Sequence, residues 1–516
     1  MADADILIGI DAGTSVIKAV AFDLAGRQLA VASTPNRYVT RASDGAAFQS
    51  LDQTWADCAR TLAELGEKVP QLAARTAAIA VTAQGDGTWL VGAGNRPVTD
   101  GWIWLDARAA PTVQRLRENG ADAERFQQTG TGLNVCQQGS QLAHMLATTP
   151  EIVAASEVAL HPKDWLFLNL TGVRATDPSE ACFTFGDFRS RSYSDSVIAA
   201  LGLTAQRHLL PPIVDGTQTT FPLTAEAAAL TCLRAGTPVS LGHVDVACTA
   251  LGAGILTDAP AACSIIGSTG MHMRAQRAGD VALNPERTGY VMCLPVPGMV
   301  ALIQSNMAAT LNIDWILDVA GDFLASSGVA QDRATLIRRI DDWMAASRPG
   351  SLIYHPYISD AGERGPFVDA TARASLIGLN RAHRFPDMVR AVIEGLGMAA
   401  RDCYLATGSL PDELRLTGGA ARSTALRRVL AASVGAPTRI ASREEAGAAG
   451  AAMMAAVAIG VYPDMAACIA EWVTPTLGAA EPNDPALTEI YARLYPSYRD
   501  ARLALAPVWS GLSKQE

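Results

Sequence analysis

At 516 residues, with 49% hydrophobic and 18% charged side chains, the chain has the make-up of a folded enzyme. It exceeds what one hydrophobic core holds at roughly 100–200 residues per domain, so two or more units are expected. A formal charge of −10 without any basic run excludes the electrostatic footprint of a nucleic-acid binder, and nine cysteines lacking CxxC spacing argue for reduced thiols rather than a disulfide framework or a structural zinc site.

In chain order, MADADILIGID places Asp3 and Asp5 where a signal peptide needs basic residues, which predicts a cytoplasmic protein. Ile6 to Asp11 reads as an apolar strand, Ala12 to Ser15 as a turn of small residues, and Val16 to Asp23 as a second strand. Ala77 to Gln84 is strand-like, Pro111 to Gly120 helical, and Lys163 to Gly172 helical again. This alternation predicts an α/β domain. About 255 residues after the first hairpin, Cys263 to Ala275 repeats the scheme with Gly267-Ser268-Thr269-Gly270 between two apolar strands. A repeat at half the chain length suggests two related lobes facing each other across a cleft, with a boundary near Ala250 to Pro260. Beyond it, Ser305 to Leu324 and Phe385 to Ala406 are helical by period, and Glu413 to Ala420 is a strand running into a helix. The long apolar stretch Ala446 to Val461 is mostly Ala and Gly and falls short of the ~20 residues of a membrane span, so it is read as a buried, closely packed helix.

The chemistry-bearing turn is Asp11-Ala12-Gly13-Thr14-Ser15. A glycine admits phosphate oxygens to backbone N–H groups, hydroxyls add hydrogen bonds, and the carboxylate suits Mg²⁺ directly or through water. The same residues make an ordinary hairpin with an Asx turn. The second hairpin, and the strand-to-helix element Thr417-Gly418-Gly419-Ala420 with small residues at a helix start, favour phosphate and nucleotide binding.

Taken in this order and spacing, the two turns and the late glycine pair resemble the superfamily of sugar kinases, actin and heat-shock ATPases. The Trp104–Arg108 run, KDWLFLNLTGVRATDPSEA (Lys163–Ala181), LGHVDVACTALGAG (Leu241–Gly254), PYISDAGERGP (Pro356–Pro366) and EEAGAAGAA (Glu444–Ala452) resemble the FGGY carbohydrate kinases over nearly the whole chain. The resemblance implies an α/β fold with two actin/hexokinase-like (ribonuclease H-like) duplicated domains around a central cleft. They would divide as residues 1–253, binding the sugar or polyol, and residues 254–516, binding adenosine. It further implies ATP and Mg²⁺ as cofactors and a small-molecule polyol or sugar as partner, without nucleic acid or membrane and with a homodimer left open.

By the same resemblance Asp245 is the catalytic base, a job that depends on positioning a hydroxyl and taking its proton late; a helix N-cap is its structural alternative. Asp86 would bind substrate hydroxyls and Trp104 pack on the carbon face of the substrate. Gln137 and Gln138 would line the sugar pocket, while Asp106 and Arg108 form an ion pair behind it. Around ATP the family pattern puts Asp11, Gly13, Thr14, Ser15 and Lys18, with Gly267, Ser268 and Thr269, at the phosphates. It puts Gly418, Gly419 and Ala420 at the adenosine, Gln304 and Asn312 at the nucleotide, and Asp11 and Asp245 at Mg²⁺. The chain departs from the family at Thr417, where relatives often have a third glycine, and at Gly85, where glycerol kinases tend to carry arginine and xylulose kinases methionine. The segments AQGDGTW, WIWLDARAA and GTGLNVCQQGSQLAHM resemble erythritol kinases, which implies phosphorylation of a four-carbon alditol. Ketopentose kinases of the same family are the alternative acceptor class, and an actin- or chaperone-like ATPase is the alternative in kind.

Overall fold

The structure, a computed structural model, describes residues 4–257 and 261–513. Asp3 and the end of the expected boundary stretch, residues 258–260, lie outside the described residues.

Two six-stranded sheets carry the molecule. The first contains β1 (Ile6–Ala12), β2 (Val16–Asp23), β3 (Gln28–Pro35), β4 (Thr76–Ala83), β5 (Phe221–Pro222) and β6 (Pro238–Leu241), in spatial order β5-β6-β4-β1-β2-β3. The second contains β7 (Ala262–Ile266), β8 (Gly270–Arg277), β9 (Tyr290–Cys293), β10 (Met299–Asn306), β11 (Leu414–Thr417) and β12 (Thr438–Ile440), in order β9-β10-β8-β7-β11-β12. Without the edge strands β5 and β9, the two sheets have one topology: an antiparallel hairpin, a third strand antiparallel to its second arm, and two parallel strands beyond its first arm. The expected duplication of ribonuclease H-like lobes is thus present in strand order and direction.

Central strands buried on both faces need near-continuous apolar runs, and ILIGIDA of β1 is buried at every position except Asp11. The helices that position the site are α1 (Gln138–Thr148), α2 (Pro162–Thr171), α3 (Pro178–Phe185), α4 (Asp245–Gly252), α5 (Thr310–Ser326), α6 (Phe385–Ala406), α7 (Thr424–Val434) and α8 (Ala446–Ala458). The Ala/Gly-rich α8 is buried from Ala446 through Ala456, as its composition predicts, and packs against β1, β4 and α4. Small residues permit this approach on both sides: a Cβ on Gly9 of β1 would fall 2.0 Å from the Ala448 carbonyl oxygen. The helical period read from Ser305 onward begins too early. Ser305 and Asn306 end β10, paired with Met271 and Gly270, and the helix starts only at Thr310. Among the described residues no helix is long and apolar enough to cross a membrane, and all nine cysteines are free thiols.

Candidate active site

The two hairpins place equivalent three-residue turns at the cleft. In the first, β1 ends at Ala12 and β2 begins at Val16, leaving Gly13–Ser15 between them; in the second, β7 ends at Ile266 and β8 begins at Gly270, leaving Gly267–Thr269. The carbonyls of both turns are held from behind. Asn36 Nδ2 donates to the Gly13 carbonyl at 2.8 Å, Gln49 Nε2 to that of Thr14 at 3.1 Å and the Asn36 N–H to that of Ser15 at 2.8 Å. In the second turn the Thr310 and Ala309 N–H groups reach the Gly267 and Ser268 carbonyls at 3.1 and 2.7 Å. The N–H groups of Gly13, Thr14, Ser15, Ser268 and Thr269 donate to no described residue, so each turn keeps unspent backbone donors, the requirement for cradling an anion. Close by, Gly418 adopts φ +90°, and a Cβ there would lie 2.5 Å from the Ile266 carbonyl oxygen. The glycine at 418 is therefore demanded by backbone, whereas Gly419 has open space around it.

Between the turns lies a cavity of about 260 Å³. Thr14, Gln84, Gly85, Asp86, Trp104, Cys136, Glu180, Phe183 and Val244–Val246 line it from one side, and Thr269, Met271, Tyr290, Met292, Ser305, Met307 and Arg364 from the other. Asp245 is the first residue of α4, behind the N-cap Val244, and its Oδ1 accepts the Val246 N–H at 2.7 Å. Burial, with the neighbouring charge of Asp11, pushes its carboxyl well above the usual range. The helix N-cap alternative is not realised, since Val244 holds that position and Asp245 follows it as the first helical residue. Asp11 is raised to about 6, chiefly by burial, with Lys18 opposing and Glu445 reinforcing. It projects toward α8, where a Cβ on Gly447 would fall 2.4 Å from its Oδ2.

Asp86 adopts φ +60°. Its Oδ2 accepts the Cys136 thiol at 3.1 Å while its buried Oδ1 has no partner, and burial raises its pKa. Trp104 donates its indole N–H to Thr14 Oγ1 at 2.8 Å, and Thr14 donates to Gln84 Oε1 at 2.8 Å. Thr14 thus links the first turn to the cavity wall. Behind the wall, Arg108 forks the fully buried Asp106 and lies 3.5 Å over the Trp102 ring, the ion pair expected there.

Several expected site residues have other duties. Gln137 and Gln138, at the start of α1, are almost fully buried and do not line the cavity. Gln137 bonds the Asn134 N–H and the Gly132 carbonyl, and Gln138 the Leu160 carbonyl. Cys136 takes the cavity position. Lys18 is salt-bridged to Glu445 at 2.7 Å. Asn312 is fully buried, its amide donating to the Ala308, Ala309 and Pro356 carbonyls and accepting from Tyr354. Gln304 donates to the carbonyl and hydroxyl of Thr288. Neither of these two amides presents a free donor to a nucleotide.

Glu180, Arg364 and Tyr290 also line the cavity although no motif in the sequence points to them, and an ionic cluster lies beneath it. There Lys163, with no exposure, pairs with Asp164 at 2.5 Å and with Asp177. Burial acts against the Lys163 ammonium, yet Asp164, Asp177 and Glu180 hold its pKa above normal, and Asp177 is brought down to about 2 despite burial. Asp177 caps α3 and binds Ser179, whose hydroxyl accepts the Val244 N–H at 3.0 Å. The cluster thereby fixes the residue preceding Asp245. Its signal in the sequence is faint, because Asp177-Pro178-Ser179-Glu180 reads as a helix-start pattern.

Two like lobes, with paired turns of free N–H groups on either side of a carboxylate-lined cavity, define a two-lobed phosphotransferase of the sugar kinase type. The chain belongs to the FGGY family of carbohydrate kinases, matching the N-terminal domain over residues 6–252 and the C-terminal domain over residues 262–459. It is 64% identical over 510 residues to a protein named erythritol kinase from Brucella abortus (strain 2308), covering 99% of this chain and 98% of that protein. Among solved structures it is similar to a xylulose kinase from Rhodospirillum rubrum, at TM-score 0.87 and 25% identity over 98% of this chain and 100% of that one. In fold it also matches a gluconate kinase from Lactobacillus acidophilus, at TM-score 0.88 and 22% identity over 98% of this chain and 99% of that one.

Proposed function

We propose that the chain transfers the γ-phosphoryl group of ATP to a primary hydroxyl of a small alditol, with erythritol as the acceptor. The full-length 64% identity to the Brucella erythritol kinase supports the acceptor. The observation that carries the mechanism is that Asp245 shares one cavity with Asp86, Trp104 and, from the facing lobe, Thr269. The acceptor hydroxyl, held against Asp245, attacks phosphorus; its oxygen–phosphorus bond forms as the bond to ADP breaks, and its proton passes to the Asp245 carboxylate. Phosphoryl transfer asks mainly for such positioning and for charge stabilisation.

The unspent N–H groups of Gly13–Ser15 and of Ser268 and Thr269 bind the phosphates, and the Gly418–Ala420 element faces the adenosine. ATP enters with Mg²⁺ as its substrate complex. Asp11 and Asp245, two carboxyls raised chiefly by burial, with Glu445 adding to the first and Asp11 to the second, suit a dication that relieves both. Among the described residues no group of three or more His, Cys, Asp or Glu forms a ready-made metal site. We divide the chain into a substrate lobe, residues 1–253, and a nucleotide lobe, residues 254–516, with α8 returning to pack on the first sheet.

An ADP-release assay over erythritol, xylulose, ribulose, glycerol and a blank without acceptor tests the proposal. Erythritol is expected to give the highest kcat/KM and the blank almost none. A ketopentose in first place would overturn the acceptor, and undiminished ATP hydrolysis in the blank would overturn the kinase reading.

A further inference from the structure

Glu180 is 2% exposed on α3 and lines the cavity. Its two carboxylate oxygens differ. Oε2 lies 3.5 Å from His161 Nε2, in the ionic cluster below, whereas Oε1 is shielded from solvent and has no hydrogen-bond partner. A buried acceptor left unpaired is costly, and a cavity that holds one is shaped for a donor to arrive.

What exposes this oxygen to the cavity is the residue opposite. A Cβ at Gly85 would stand 3.1 Å from Glu180 Oε1 and 2.5 Å from Val244 Cγ2, so any side chain at 85 would crowd the passage between Glu180 and the cavity. Across the same cavity Asp86 Oδ1 is likewise buried and unpaired. A four-carbon alditol brings four hydroxyls: one goes to Asp245, and the others need acceptors deep in a closed pocket.

Resting on the alditol kinase reading above, we propose that Glu180, uncovered by Gly85, is a specificity-determining residue that accepts a hydrogen bond from a hydroxyl of the alditol other than the one phosphorylated. Burial, opposed by His161 and Lys163, raises the Glu180 carboxyl to about 7, so pairing with a hydroxyl also offsets the strain of holding it charged there. Arginine or methionine at position 85 would leave no room for this contact.

Removing single hydroxyls from the substrate and the carboxylate from the enzyme tests the contact. Erythritol, butane-1,2,4-triol and butane-1,2,3-triol are compared on wild type, Glu180→Gln and Glu180→Asp, with the KM for ATP and the melting temperature read alongside. Wild type is expected to reject at least one deoxy analogue by ~10²-fold or more in kcat/KM, the pattern of a site built to bond a hydroxyl. Glu180→Gln should raise the KM for erythritol and shrink that rejection to below about 10-fold, leaving the KM for ATP nearly unchanged. Glu180→Asp, which keeps the charge beside His161 but withdraws the oxygen from the cavity, should do the same and carries the test if the Gln protein does not fold. Undiminished rejection in a folded variant overturns the role of Glu180. Failure of wild type to phosphorylate erythritol overturns the alditol reading itself, a different result.

Discussion

The two turns at the cleft share a backbone and differ in what surrounds it. Around Gly13–Ser15 the structure concentrates side-chain chemistry: Asp11 lies just before the turn, Thr14 is hydrogen-bonded to Gln84 and Trp104, and Gly447 of α8 leaves room for the Asp11 carboxyl. Around Gly267–Thr269 there is little. Ser268 is exposed, and a Cβ on Gly267 would meet nothing within 4 Å. One fold element, duplicated, has come to serve two tasks. In the proposed reaction the first turn would couple phosphate to the acceptor cavity through Thr14, while the second offers backbone donors and open space. Conformational freedom at Gly267 is not what the glycine supplies, since its φ is not in the left-handed region; what it supplies is room.

The largest effect should come from removing Asp245, the proposed base. Asp245→Asn keeps the volume and leaves the backbone of both turns in place, so the protein should fold with a melting temperature no lower than wild type while kcat falls by ~10²–10⁴, the usual contribution of a positioned general base. Steady-state kinetics with erythritol measure this, and a variant with near-wild-type kcat would remove Asp245 from the mechanism. In wild type kcat/KM should fall as pH drops through the raised Asp245 pKa and level off above it, because only the carboxylate takes the proton.

Paired glycine substitutions address the comparison itself. Gly447→Ala drives a methyl to within 2.4 Å of Asp11 Oδ2 and must displace that carboxyl or α8. A shift of about 1 Å near the reacting groups costs on the order of 10²-fold in rate, and that loss is expected in kcat. Gly267→Ala meets no protein atom, so its stability should change by less than ~0.5 kcal/mol, and its effect should fall on the KM for ATP, where the methyl occupies space meant for phosphate. If Gly267→Ala lowers kcat as strongly as Gly447→Ala does, the division of labour between the turns is wrong.

The architecture was largely legible in the sequence because duplicated hairpins and apolar strand runs are patterns of residue type, and residue type is what a sequence states. Asp86, Trp104 and Asp245 were legible for the same reason, each standing in a recognisable segment, and all three line the cavity. What the sequence did not reveal is which polar atoms are already spent. Gln137 and Gln138 look like hydroxyl binders, but Gln137 completes backbone hydrogen bonds of the loop leading into α1 and Gln138 bonds the Leu160 carbonyl, while their plain neighbour Cys136 reaches Asp86. Asn312 and Gln304, expected at the nucleotide, are instead buried and bonded to the Pro356 and Thr288 carbonyls. Glu180 was hidden in the opposite way: three residues after an N-cap Asp it passes for a helix-start acid, and only its unpaired Oε1 and the emptiness at Gly85 separate it from one.

The smallest expected effect is on stability, and it sharpens the contrast between a turn loaded with carboxylate and one without. Asp11 has a folded pKa of about 6 against an ordinary 3.8, raised chiefly by burial, so between these values the folded state binds more protons than the unfolded one. Stability tied to this group is therefore fully present below about pH 4 and is lost as pH rises through 6. Asp11→Asn removes the cost of holding the charge. In the ligand-free protein it should be neutral near pH 4 and stabilising by ~1–2 kcal/mol at pH 7.5, after allowance for the partial exposure of the side chain. Urea denaturation at the two pH values measures the difference. Adding MgATP should reverse the order, since wild type alone retains the Asp11 carboxylate proposed for the cation and gains the stability that ligand binding confers on the folded state. A variant stabilised equally at both pH values, or equally by MgATP, would show that the Asp11 charge is neither strained in the free protein nor used by the nucleotide complex, and the first turn would then differ from the second only in its hydrogen bonds to the cavity wall.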